Sequence, residues 1–479
     1  MTPSGGGASS GGATGGNTGA TSGNSGATSG NSGATSGVNL ASRRLGASVI
    51  AASDEFFGEK EDLLRPTAPV THPHAFGHKG QTVDGWETRR RRGTGHDFAL
   101  VRLGAAGVIH GVVVDTAHFT GNYPAASSVQ ACAADGYPSP EDLCAASMPW
   151  VEIVPRSPLA GDTENIFAVR YDRWFTHVRL NIYPDGGVAR LRVHGEVVPD
   201  PRLLDGVPLD LVAQENGGTV IDASDRFYSA PENVIAPGRA DKMGDGWETR
   251  RRRDVGNDWV LFKLTAAGHI RQVVIDTSYF IGNAPAACAL RACDATVSVP
   301  DVTIAGPGQA TGNPDMTATG PGQAAGNPDV AVTGPGPTIA GQDAAEWFDL
   351  LPRTRLQADT RHRFRIGAAA AARRATHVLL EIYPDGGLAR LQLFGEFDTD
   401  GRACVGVRWF DRLPADHAMA VLIGECGLAE SLAAALAGGR PYRKASRLEA
   451  LLADRGLPGA DTEAVARVRS VILGRWLEP

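Results

Sequence analysis

Short apolar runs of four to six residues, each broken by Gly, Pro, Asp or Asn, fill the chain from residue 38 to about 400. Phe98-Ala99-Leu100-Val101-Arg102-Leu103, Val112-Val113-Val114, Val178-Arg179-Leu180-Asn181-Ile182-Tyr183 and Leu191-Arg192-Val193-His194 alternate or run apolar, the pattern of strands. Pro184-Asp185-Gly186-Gly187 between two of them supplies residues that tolerate positive φ, and predicts a hairpin or sandwich corner. No long amphipathic helix shows itself in this stretch, so an antiparallel β-sandwich is expected. After about Arg408 the period changes. Leu448, Leu451 and Leu452, then Val465, Val468 and Ile472, fall at helical spacing and predict a small helical module over 408–479.

The strand-rich stretch is doubled. Asp84-Gly85-Trp86-Glu87-Thr88-Arg89-Arg90-Arg91-Arg92 returns unchanged as Asp245-Gly246-Trp247-Glu248-Thr249-Arg250-Arg251-Arg252-Arg253, 161 positions later. Ser53-Asp54-Glu55-Phe56-Phe57 answers Ser224-Asp225-Arg226-Phe227-Tyr228, and Phe119-Thr120-Gly121-Asn122 answers Phe280-Ile281-Gly282-Asn283. Further on, His177–Glu196 answers His377–Glu396, where the offset has grown to 200. The extra 39 positions match a low-complexity stretch between about Pro300 and Gly341, read as an inserted loop. Residues 1–37, almost entirely Gly, Ser, Ala, Thr and Asn and without a charged side chain, are expected to be a disordered tail. The expected organisation is therefore a tail over 1–37, one repeat over 38–200, a second over 205–398 and the helical module.

Bulk properties narrow the partners. With 479 residues the chain is long enough for two or three buried cores. A net charge of −7 argues against general nucleic-acid affinity and makes the arginine blocks local features. No run of 18 apolar residues exists to span a membrane, and no charged leader precedes an apolar stretch, so a cytoplasmic protein without a signal peptide is expected. Six cysteines lack zinc spacing. Cys132 and Cys293 occupy one position of the two repeats and read as small buried hydrophobes in strands.

Four adjacent arginines repel one another, which points to a bound anion. In this respect the chain resembles the allantoicase family. The likeness rests on the doubled DGWETRRRR, on His118-Phe119-Thr120-Gly121-Asn122-Tyr123-Pro124 after Val114-Asp115-Thr116, and on the doubled IYPDGG…AR, over roughly residues 39–398 less the insertion. It implies a mainly β fold of two tandem jelly-roll, galactose-binding-like sandwiches, and the conversion of allantoate and water to ureidoglycolate and urea. The helical tail is more weakly similar to the opening of the 2-oxo-4-hydroxy-4-carboxy-5-ureidoimidazoline decarboxylases, through Phe410-Asp411-Arg412-Leu413-Pro414, Cys426-Gly427 and Gly439-Arg440-Pro441-Tyr442. That family's later His-Pro stretch has no counterpart, so the tail is read as a helical remnant or docking element.

Allantoate needs a cation for its carboxylate and polar groups for two ureido arms. Bidentate arginine suits the first. If residues 86–92 are extended, Glu87, Arg89 and Arg91 share one face, with Glu248, Arg250 and Arg252 as their counterparts. Two cations beside it would keep Glu87 ionised, and the structural alternative is a buried Glu–Arg ladder. Release of one ureido nitrogen requires an acid and a base. The candidates are Glu87 with His118 and His96, whose counterparts in the second repeat are Tyr279 and Asn257. Asn122 and Asn283 either pair with a ureido arm or simply serve a turn. Asp115, Asp276, His177 and His377 are read as structural. No cofactor is expected; a divalent metal stays open only through His72, His74 and His78 in a Pro-rich loop. A homo-oligomer is expected, and the rival reading is a non-catalytic sandwich that binds small anions or carbohydrate.

Overall fold

The computed structural model describes residues 34–71, 75–78, 80–295, 304–305, 338–339, 346–453 and 461–475. The low-complexity tail is therefore described only from Ala34, and the expected insertion only at the antiparallel pair Ile304–Ala305 and Thr338–Ile339. His72 and His74 lie outside the described residues.

Each repeat is organised around one 19-residue strand, Asp97–Asp115 in the first and Asp258–Asp276 in the second. The first half of Asp97–Asp115 pairs antiparallel with Trp174–Tyr183 and with Ser48–Ala52. Its second half pairs with Arg190–Val197 and Glu164–Ala168. The same strand thus carries one continuous eight-stranded sheet around a bend, so that its two halves serve as the two sheets of a sandwich. Ala126–Cys132 and Val151–Pro158 extend the first sheet, and Val38–Asn39 edges the second.

The pattern suggested separate strands at 98–103 and 112–114, but these are the two ends of a single strand. Gly104-Ala105-Ala106-Gly107 has too little bulk to stop the strand and lets it bend. A Cβ on Gly104 would sit 2.6 Å from Leu45, and one on Gly107 would sit 2.0 Å from the carbonyl oxygen of Glu196. The partner register slips between Phe175 and His177, opposite the bend, and the second repeat slips in the same place, between Lys263 and Gly268.

Alternating residues of both sheets meet inside. Val101, Ile109, Val112, Val114, Val178, Leu180 and Leu191 form the first core, and Val260, Phe262, Val273, Ile275, Val378, Leu380 and Leu391 the second. Each such side chain contributes roughly 1.5–3 kcal/mol by leaving water. Cys132 and Cys293 are buried outside these two cores, Cys132 with Leu100 and Leu143, and burial pushes both thiols up to about 12, as small apolar residues would require.

The helical module starts at Thr399, earlier than the change of period near Arg408 suggested. The carboxylate of Asp398 accepts the Gly401 N–H at 2.6 Å and so caps a helix running Thr399–Arg412. Trp409, Phe410, Leu422 and Ile472 share one apolar cluster with Val108, Trp174 and Val198 of the first repeat. Gly401 meanwhile lies against Ala267 of the second repeat. The module therefore bridges both sandwiches. No described helix is long and apolar enough to cross a membrane.

Candidate active site

The duplicated block forms a strap across one end of each sandwich. Trp86 is fully buried and its indole N–H donates to the Asp54 carbonyl at 2.7 Å; Trp247 does the same to Asp225 at 2.9 Å. Thr88, also buried, exchanges hydrogen bonds with the backbone of Gly186. Only Trp86–Glu87 is regular strand, paired with Gly187–Val188. Two buried anchors on one side of the strap leave Glu87 half-buried on the other and Arg89 exposed.

The neighbouring loop is pinned by close packing. The Phe119 ring lies against Gly187, where a Cβ would come within 2.0 Å of it, and Phe280 lies likewise against Gly387 at 1.9 Å. This holds His118 to Asn122 beside the strap. The Asn122 amide donates to Glu87 Oε1 at 2.7 Å, and Asn283 donates to Glu248 Oε1 at 2.7 Å. The amide–carboxylate contact was not foreseen, since each asparagine had been given only a turn or a ureido arm to bond. Burial raises the Glu87 carboxyl above its ordinary range, and the Asn122 hydrogen bond offsets only part of that rise.

The arginines do not hold the glutamate. Arg89 Nε donates to Asp54 at 2.8 Å, Arg250 Nε donates to Asp225 at 2.7 Å, and each guanidinium also lies over a phenylalanine, Phe56 or Phe227. Arg91 pairs with buried Asp97, and Arg252 with buried Asp258 at 2.7 Å. In place of the alternative Glu–Arg ladder stands an Asp–Arg arrangement. The expectation that two cations keep Glu87 ionised gives way to a buried carboxyl facing an amide. Desolvation alone would raise Asp54, but hydrogen bonds from the Arg89 backbone and side chain outweigh it and hold that carboxyl low. Arg90, Arg92, Arg251 and Arg253 are exposed and make no hydrogen bond or ion pair among the described residues.

Three aspartates per repeat do work that motif reading missed. Asp54 and Asp97 hold the arginines, while Asp185 accepts the Arg91 N–H at 2.7 Å; Asp385 does the same for Arg252 at 2.7 Å. The signal was available, because each recurs in the second copy as Asp225, Asp258 or Asp385. Asp84, the first residue of the block, bonds Arg190, whose guanidinium is fully buried and also reaches the Thr67 and Asp84 carbonyls.

His118 is exposed, stands at φ 69° and lies 3.3 Å from the Pro69 carbonyl through Nε2. Its backbone N–H donates to Asp162, as that of Tyr279 does to Asp359, so both copies share the turn and differ in the side chain it presents. His96 sits against the Tyr183 ring at 4.8 Å between centroids and makes no hydrogen bond to Glu87, Arg89 or Arg91. Asp115 and Asp276 bond turn amides, Ala117 and Ser278. His177 and His377 sit by Thr176 and Thr376, and burial pushes both down to about 4. His78 is exposed, and no cluster of three metal-ligating side chains occurs among the described residues.

What the two ends offer is a carboxyl held by an amide, flanked by guanidinium groups, built twice. The family profile described as the allantoicase repeat matches residues 38–198 and 209–398. The probable allantoicase of Streptomyces coelicolor is 47% identical over 381 residues, covering 77% of this chain and 88% of that protein. The probable allantoicase of Nocardia farcinica is 51% identical over 360 residues, covering 75% and 94%. Among solved structures, the allantoicase of Saccharomyces cerevisiae matches with a TM-score of 0.57 at 28% identity, covering 75% of this chain and 93% of that one. Two matched repeats and relatives of this identity and coverage place the chain in the allantoicase family.

Proposed function

We propose that the first repeat's Glu87–Asn122 pair is the catalytic centre at which the chain converts allantoate and water to ureidoglycolate and urea. The reaction itself follows from family membership. The observation that carries the site is the 2.7 Å contact between Asn122 and Glu87 Oε1, which leaves Oε2 of a carboxyl raised by burial free for substrate.

A carboxyl in that state suits both halves of the reaction. Protonated Glu87 gives its proton to the leaving ureido nitrogen while the retained ureido nitrogen pushes, so that the C–N bond breaks and urea departs. The carboxylate left behind takes a proton from water as its oxygen adds to the same carbon. This gives ureidoglycolate and restores the acid. The substrate carboxylate is met by guanidinium groups of residues 89–92, of which Arg90 and Arg92 make no hydrogen bond or ion pair among the described residues. His118, four residues ahead of Asn122 and replaced by Tyr279 in the second copy, takes the N–H proton of the retained ureido nitrogen as it pushes and returns it once water has added, which is the reason for assigning chemistry to the first repeat. Glu248, Arg250, Arg252 and Asn283 then form a matching binding site, and His96 stands outside the proton path.

Glu87→Gln keeps the shape and the Asn122 contact but removes the proton. Urea release from allantoate is expected to fall by on the order of 10²-fold or more, whereas Glu248→Gln should chiefly change KM. A fully active Glu87→Gln enzyme would overturn the assignment. All proton transfers here come from side chains, so chelator treatment should leave activity intact; loss restored by a divalent cation would show otherwise. Cytoplasmic action and a homo-oligomer complete this reading, and light scattering of the purified chain tests the latter.

A further inference from the structure

The helical module and the first repeat enclose a cleft that the reaction does not use. Its volume is about 810 Å³, and five arginines line it against two aspartates. In a chain of net charge −7 this is a local reversal of sign.

Two of the arginines fasten the module. Arg412 pairs with Asp172, and Arg408 pairs with Glu196 at 2.8 Å while also donating to the Val197 carbonyl. The second aspartate, Asp411, is occupied by the backbone N–H groups of Tyr442 and Arg443, both at 2.7 Å. Both acids are therefore engaged. Arg170, Arg173 and Arg443 remain, from two different parts of the fold, with no ion pair among the described residues. Arg443 is held there in left-handed backbone at φ 65°, a conformation few non-glycine residues adopt. Just behind the wall, burial and, to a lesser degree, the neighbouring Arg173 lower the proton affinity of Arg440 against the opposing charge of Asp411.

We propose that this cleft binds a small phosphate-bearing molecule, with Arg170, Arg173 and Arg443 gripping its charged oxygens. Several planar donors around one cavity suit an oxyanion carrying more than one charge. The volume accommodates more than a single phosphate group. Because the cleft joins the module to the first repeat, its occupant would also strengthen that junction.

Pyrophosphate titrated calorimetrically into the full-length chain tests the proposal. Binding is expected, weakened by added salt and reduced roughly tenfold or more in Arg170→Ser/Arg173→Ser/Arg443→Ser. The triple variant should keep urea release from allantoate, which also reports that it is folded. If it does not fold, the exposed single variant Arg170→Ser should still weaken binding measurably. Absence of binding to the native chain overturns the proposal. So does binding that survives the triple variant but is lost in Arg90→Ser/Arg92→Ser/Arg251→Ser/Arg253→Ser, which would put the anion on the duplicated straps.

Discussion

Glu87 and Arg89 are separated by one residue, yet the fold gives them different partners and different states. Glu87 meets an amide and is raised by burial, whereas Arg89 is bound through Nε to Asp54 at 2.8 Å. Arg89→Lys replaces a planar fork with a point charge, so KM for allantoate should rise severalfold with little change in kcat; an unchanged KM would leave Arg89 only its bond to Asp54. The shared histidines make a different prediction. Burial pushes His177 down to about 4 from 6.5, so the folded chain favours neutral imidazole. Its contribution is complete above pH 6.5 and is lost as pH falls from there towards 4, by roughly 3 kcal/mol at most. Denaturant unfolding across that window should show declining stability, with a shallower decline in His177→Asn. A decline of equal slope in the variant would acquit His177. Spacing could identify these histidines as shared, but not as neutral, because desolvation depends on what packs around them.

At the scale of the element, the strap and its loop are fitted to each other. Trp86 and Thr88 anchor one side, and Phe119 fills the space that Gly187 leaves empty. Gly187→Ala puts a methyl within 2.0 Å of that ring. It should cost about 1–3 kcal/mol in thermal unfolding and reduce urea release, because Asn122 moves with the loop. Normal activity and melting would show that the loop adapts. Arg190 explains the recurring alanine–arginine that closes the IYPDGG motif, since its buried guanidinium ties Asp84 to the strand Arg190–Val197. Arg190→Met should destabilise the first repeat by about 3–5 kcal/mol, as Asp84 loses its buried partner. Unfolding at the native denaturant midpoint would refute that role. Strand periodicity made these elements readable. It did not reveal that 98–103 and 112–114 are one strand, because small residues carry no periodicity through a bend.

In the whole molecule the two repeats and the module are linked by contacts that no local pattern encodes. Arg44 of the first repeat reaches Asp245 at 2.5 Å and Asn233 at 3.1 Å, so it braces the strap of the second. The module covers Val108, Trp174 and Val198. Ending the chain after Asp398 should expose these residues, lower the melting temperature and promote aggregation; a monodisperse, equally stable product would mean that the module is dispensable for folding. By itself the sequence determined the duplication, the β class and the segments carrying charge, because exact repetition and apolar alternation are properties of the order of residues. Only the tertiary structure decided which carboxylate meets which donor. Asp54 and Arg89, Glu87 and Asn122, and Asp84 and Arg190 lie far apart along the chain and come together only when the long strand has bent and its neighbours have packed against it.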